Sequence, residues 1–181
     1  NPNGGELRMR GWNPGGLSRL KYELLTEDTQ FDVQCLYETH NHGQIPEDAP
    51  YLAVQSEQAI STDPAAGSLI LHSGRMAKMM VACGSVGTRI CWVRYKVKKD
   101  MHMLVVLVYV PHHYRSCPSR EEILIALEDF LKTANKHDII LVFGDFNSSI
   151  ARGIKDVTGS FGLHRFSDEG GEMLQSLCSR R

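Results

Sequence analysis

A chain of 181 residues is long enough for one domain with a real hydrophobic core and too short for two comfortable ones. Its 42% hydrophobic and 23% charged content is ordinary for a globular protein and excludes disorder as the main state. A net charge of −1 excludes a whole-molecule field that draws the chain onto nucleic acid, so any such contact must come from a local patch or a bound metal ion.

The opening Asn1-Pro2-Asn3-Gly4-Gly5 lacks an initiator methionine and reads as a linker, with residues 1–6 outside a domain that runs over 7–181. Leu7 to Trp12 alternates apolar and basic residues as a half-buried strand does, and Asn13-Pro14-Gly15-Gly16 breaks it. Leu17, Leu20, Leu24 and Leu25 recur at helical spacing up to about Glu27. Phe31–Leu36 returns to strand character, and 40–50 is a polar loop. Short strands are expected at 51–55 and 68–72, with turn chemistry at 61–67 between them. Residues 79–83 and 89–97 read as strands paired across a turn at Gly84–Gly87. After the Lys98-Lys99-Asp100 turn, the unbroken apolar run 103–110 predicts a strand buried on both faces. Ser119 and Glu122 form a capping box for a helix whose inner face is Ile123, Ala126, Leu127, Phe130, Leu131 and Ala134. Asp138–Phe143 is another buried strand that ends in Gly144-Asp145, and Glu172–Cys178 a short helix with Met173, Leu174 and Leu177 inward. Strands interleaved with helices imply a layered α/β domain of two sheets with helices outside.

The five cysteines are scattered and lack ligand spacing, which argues against zinc. Cys35 and Cys91 lie in apolar runs and read as buried thiols in a reducing, intracellular compartment. The longest apolar stretch is far too short to span a bilayer, and no signal-like segment appears.

Polar residues cluster at the ends of predicted strands, where layered folds build their sites. Asn13 follows the first strand and Glu38 the second; Tyr109 closes the apolar run, and Asp145 and Asn147 follow the last strong strand. Two carboxylates, two amides and a phenol suit phosphate chemistry. Glu38 offers a hard oxygen ligand for Mg²⁺, and Asp145 can align or deprotonate a water. Asn13, Asn147 and Tyr109 can donate to a phosphate oxygen or orient the carboxylates. Each has a plain structural reading as well: Gly144-Asp145-Phe146-Asn147 is also turn chemistry, Glu38 a solvated strand end, and Tyr109 a core residue with a satisfied hydroxyl. The basic runs Arg94, Lys96, Lys98, Lys99 and Arg115, Arg120 read as solvated faces more readily than as phosphate tracks.

Taken in order, Trp12-Asn13, Tyr37-Glu38-Thr39-His40, Tyr109-Val110-Pro111 and Gly144-Asp145-Phe146-Asn147 resemble the motifs of the endonuclease/exonuclease/phosphatase superfamily. With Gly159-Ser160-Phe161-Gly162-Leu163 and Gly171-Glu172-Met173-Leu174-Gln175-Ser176-Leu177-Cys178, the chain looks like the apurinic-endonuclease-like domain of non-LTR retrotransposons and their domesticated derivatives. The resemblance implies a four-layer α/β sandwich of two mixed sheets flanked by helices. It also implies a Mg²⁺-dependent (or Mn²⁺-dependent) hydrolase of DNA phosphodiesters. Glu38 would bind the metal, Tyr109 would contact the scissile phosphate and Asp145 would align water. Asn13 and Asn147 would support the network.

This sequence departs from that family at three places. Tyr37 stands where the retroelement branch commonly has Gln, and Pro14-Gly15-Gly16 offers no side chain where an acidic or basic one is common. Family members also continue beyond the equivalent of Cys178 to a closing Ser-Asp-His motif, and no sequence feature assigns His40, His42, His112, His113 or His164 to that role. The expectation is therefore a domain incomplete at its C-terminal end, with an open edge on the second sheet and a catalytic set that lacks the phosphate-stabilising histidine in this chain. Three functions stand open: a nuclease acting on DNA in the nucleus (or in an organelle, after loss of a presequence), a non-catalytic subunit whose protein partner covers that edge, and an enzyme acting on a small phosphorylated ligand.

Overall fold

Period-two alternation sorts the strand residues between two layers. In the computed structural model, which describes residues 6–27, 30–40, 52–56, 67–112, 119–160 and 164–179, these strands build two mixed four-stranded sheets. The first contains β1 (Met9–Trp12), β2 (Val33–Tyr37), β3 (Leu52–Gln55) and β4 (Ser68–His72) in the order β1-β2-β4-β3, with only β1 and β2 parallel. The second contains β5 (Met80–Val86), β6 (Ile90–Lys98), β7 (Met101–Tyr109) and β8 (Ile139–Asp145) in chain order, with only β7 and β8 parallel. Helix α1 (Arg19–Glu27) follows β1, the one-turn helix α2 (Gly74–Ala77) follows β4, α3 (Arg120–Lys132) follows β7, and α4 (Glu169–Ser179) follows β8. This is the expected α/β sandwich of two mixed sheets with helices.

The described residues fall into two compact units, 1–109 with 134–145 and 110–133 with 146–181. In the first, Val33, Cys35 and Ile70 from one sheet pack against Cys91, Val93, Tyr95, Met103, Val105 and Leu107 from the other. Each fully buried side chain of this kind contributes about 1.5–3 kcal/mol. On the outer face of the first sheet, Leu36, Leu69 and Leu71 meet Leu17, Tyr22 and Leu25 at and beside α1. Both faces of β7 are buried, as its unbroken apolar run predicts. Cys35 and Cys91 are buried as expected, and burial pushes the Cys35 thiol up to about 12, so it is protonated and inert at neutral pH. At the edge strand β8, Ile139 is 44% and Val142 37% exposed. No described helix is long and apolar enough to cross a membrane.

Three boundaries differ from the sequence reading. β5 runs through Gly84 to Val86 because Gly84 pairs with Trp92, and a Cβ there would lie 3.1 Å from the indole; the glycine makes room within a strand rather than ending it. α4 begins at Glu169, not Glu172, and takes in Gly170 and Gly171. α2, capped by the Ser73 hydroxyl on Met76 N–H, is too short to carry a periodic signal. The Ser119–Glu122 capping box is present in both directions, and Ile123, Leu124, Leu127 and Leu131 are the buried residues of α3. The predicted loop 41–50 and turn 61–66 lie outside the described residues.

One buried polar pair makes stability depend on pH. His72 is fully buried with Nδ1 3.0 Å from the Tyr95 hydroxyl, while Nε2 has no partner among the described residues. Burial pushes this imidazole below its ordinary value. The unfolded ring titrates near about 6.5, so below that pH the unfolded chain binds the extra proton and the folded one resists it. This contribution to stability is complete above the unfolded value and is lost as pH falls through it towards the lowered folded one. The urea midpoint of the wild type should therefore fall between about pH 7.5 and about pH 5.5, and fall less in His72→Gln. Equal falls in both proteins would remove His72 as the cause.

Candidate active site

Parallel pairing brings the C-terminal ends of β1 and β2 to one level, and those of β7 and β8 likewise, with Tyr109 opposite Asp145 in register. Asn13, Glu38, Tyr109 and Asp145 sit at or just past these four strand ends. The loops after β1 and β2 are zipped by Gly16 N–H to Glu38 O at 2.8 Å and Leu17 N–H to Thr39 O at 3.1 Å. Thr39 N–H donates in turn to Gly67 O at 3.1 Å. These bonds hold Glu38 in the left-handed region, at φ 58°. That conformation costs a non-glycine residue about 1–3 kcal/mol and persists only where its surroundings fix it.

The Glu38 carboxylate is gripped on both oxygens. Oε1 accepts the Tyr109 hydroxyl at 2.6 Å, and Oε2 accepts Asn13 Nδ2 at 2.7 Å. The same Asn13 nitrogen lies 3.4 Å from Asp145 Oδ2, so a single amide spans both carboxylates. Its orientation is set from behind: Asn13 Oδ1 accepts Gly15 N–H at 2.9 Å in an Asx turn, which leaves the NH₂ facing the acids. The Pro14-Gly15-Gly16 departure thus supplies a turn in place of a side chain. Gly15 has φ 56° and Gly16 φ 93°, and a Cβ on Gly16 would lie 3.0 Å from the His40 ring.

Burial, then the hydrogen bond to Glu38 and the charge of that carboxylate, push the Tyr109 phenol well above its usual range, with the Arg89 charge working against them. Tyr109 therefore stays protonated at neutral pH and is a fixed donor. Arg89 is only 3% exposed, and its guanidinium carbon stands 5.0 Å from the centre of the Tyr109 ring. Sequence reasoning missed it, since one arginine at a strand start reads as solvated. Tyr37 also faces this region: burial raises its phenol, and the Asp145 charge raises it further. Arg94, from the basic run, is committed to Asp138 at 2.6 Å.

Asn147 belongs to the second unit, where it is also left-handed, at φ 45°. Its Nδ2 donates to Val110 O at 2.9 Å, and its carbonyl accepts Arg120 Nη2 at 2.9 Å. Arg120 is thus part of what fixes this turn, a role the sequence did not signal. Further along, Asp168 caps α4 by accepting Gly171 N–H at 2.8 Å, and it also accepts Ser149 N–H at 3.0 Å. Burial raises the Asp168 carboxyl, but these bonds and the nearby Arg120 and His164 outweigh it and hold it below the usual carboxylate range.

Among the described residues no group of three or more His, Cys, Asp or Glu side chains is placed to hold a metal ion. Glu38 with Asp145 offers one or two carboxylates, the number Mg²⁺ takes where water and substrate oxygen fill its remaining positions.

Two mixed sheets face to face make the fold that the sequence resemblance implies, and solved structures share it. The chain is similar to the endonuclease domain of TRAS1, a telomere-specific non-LTR retrotransposon, with a TM-score of 0.61 and 13% identity over 97% of this chain and 70% of that one. It is similar to D. rerio TDP2 complexed with single-strand DNA product (TM-score 0.53, 14% identity, 78% of this chain and 60% of that one). It is also similar to the catalytic domain of human Nocturnin (TM-score 0.52, 14% identity, 79% and 65%). The chain therefore spans between 60% and 70% of the length of these three neighbours. No protein-family profile matches it, and no curated protein matches it in sequence.

Proposed function

We propose that this chain carries the metal-holding and water-aligning part of a divalent-metal-dependent phosphodiesterase of the DNA-endonuclease kind. The observation that carries this reading is the doubly anchored Glu38, joined to Asp145 through one Asn13 amide. A carboxylate with both oxygens directed by hydrogen bonds is pre-oriented for a cation. Glu38 would hold Mg²⁺, or Mn²⁺ in its place. When bound, the ion supplies positive charge to a phosphoryl oxygen. Asp145 would orient the attacking water and accept its proton. Asn13 keeps the two carboxylates in one arrangement, and the protonated Tyr109 holds the second Glu38 oxygen. Asn147, whose amide donates to Val110 O, would support the network by the resemblance alone. The DNA product of the TDP2 neighbour and the retrotransposon origin of the TRAS1 neighbour support DNA as substrate and a retroelement descent.

Plasmid nicking tests this reading. Supercoiled DNA should be nicked in Mg²⁺ or Mn²⁺ and not in EDTA, with Asp145→Ala slower by about 10²–10⁴-fold. Nicking that is absent, or equal in the variant, would sink it.

A further inference from the structure

The most exposed large apolar side chain among the described residues is Phe166, at 82%, and it stands among cations. Between Ala151 and Phe166 the sequence carries Arg152, Lys155 and Arg165 against one acid, Asp156. Arg152, Lys155 and Arg165 are all exposed. A parallel bridge joins Ala151 to His164, with Arg152 N–H donating to His164 O at 3.2 Å. The bridge therefore brings the backbone of Arg152 beside that of His164, the residue before Arg165.

The loop bearing these residues is braced from within. Gly153 N–H donates to Gly159 O at 2.9 Å, and Thr158 Oγ1 both donates to Ala151 O and accepts Ile154 N–H, each at 2.9 Å. Asp168, the nearest acid beyond Phe166 in the chain, accepts the N–H groups of Ser149 and Gly171. Through Ser149 the same network leads to the loop that carries Asn147.

We propose that Arg152, Lys155, Arg165 and Phe166 form a contact surface for single-stranded nucleic acid, with phosphates on the cations and an unpaired base stacked on the Phe166 ring. Charge selects a polyanion. The ring selects an unpaired strand, because a duplex buries the faces of its bases and offers only their edges. The inference deepens the phosphodiesterase reading and rests on it for the role of the bound strand.

The test is fluorescence anisotropy of the full chain with a labelled single-stranded DNA oligonucleotide in EDTA, so that no cleavage enters the measurement. Phe166→Ala should bind about tenfold more weakly, and Phe166→Trp should bind as the wild type does. The logarithm of affinity should fall with the logarithm of salt at a slope of about −2, reduced to about −0.7 in the Arg152→Ala/Arg165→Ala variant. Circular dichroism confirms that each variant is folded. Wild-type affinity in Phe166→Ala, an unchanged salt slope, equal binding of duplex, or equal binding of phosphatidylserine vesicles each overturns the proposal. Binding as described by a protein that nicks no plasmid supports the surface and rejects the hydrolase. Nicking with no effect of these variants does the reverse.

Discussion

Glu38→Gln should lower metal-dependent phosphodiester cleavage by about 10²–10³-fold while leaving the fold in place. The substitution keeps side-chain shape and removes the charge. Asn13 Nδ2 can still donate to the amide oxygen, since it lies 2.7 Å from Glu38 Oε2 in the native protein. The new NH₂ then faces the Tyr109 hydroxyl, which must turn from donor to acceptor where it had given a 2.6 Å bond. The loss should appear mainly in kcat, because on the proposed reading the deleted charge would hold the ion and not the bulk of the substrate. Tyr109→Phe should cost less, about 10–100-fold, because it deletes an orienting group and spares the carboxylate. Single-turnover cleavage across a Mg²⁺ titration separates the two variants. A Tyr109→Phe loss larger than that of Glu38→Gln would move the chemistry away from the carboxylate.

Gly171→Ala should destabilise the protein by about 3 kcal/mol, against the usual sign for such a change. Within a helix, alanine is ordinarily better than glycine by about 0.5–1 kcal/mol. Here the added Cβ collides with the backbone oxygen of Ser149, and a backbone atom cannot swing aside as a flexible side chain can. Ser149 is held in place: its N–H donates to Asp168 Oδ2 at 3.0 Å, and its carbonyl accepts Asp168 N–H at 3.0 Å. Relief would mean pulling α4 from its own cap, which Gly171 N–H shares at 2.8 Å. The expected drop in Tm is on the order of 6–12 °C. A midpoint that is unchanged or raised would show that the Ser149 turn yields freely.

Glycine also shows where the sequence was legible and where it was not. Among the described residues each strand overlaps one read from the sequence, because alternation and the unbroken run of β7 report burial directly, but β8, read as buried, lies at a sheet edge with Ile139 and Val142 exposed. The capping box placed the start of α3 to the residue. Glycine misled at Gly84 and at Gly170-Gly171, since a breaker and a residue demanded by close approach are the same letter. The strand-end polar residues were legible as a set. Their order marked Asn13, Glu38, Tyr109 and Asp145 before the fold brought them together. Arg89 over Tyr109 and Arg120 on the Asn147 carbonyl were not, because a stacked ring and a carbonyl partner leave no local pattern. The Asx turn at Asn13 was open to reading, since Asn-Pro-Gly-Gly names its own turn chemistry.

The central claim is that Glu38 would hold a divalent cation, with Asp145 tied to it through Asn13 to align water. Binding of Mn²⁺ to the full chain, followed by electron paramagnetic resonance without nucleic acid, tests it most directly. One site is expected in the wild type and none at the same concentrations in Glu38→Gln, with Asp145→Ala losing far less than Glu38→Gln. Equal Mn²⁺ binding in the wild type and Glu38→Gln would contradict it.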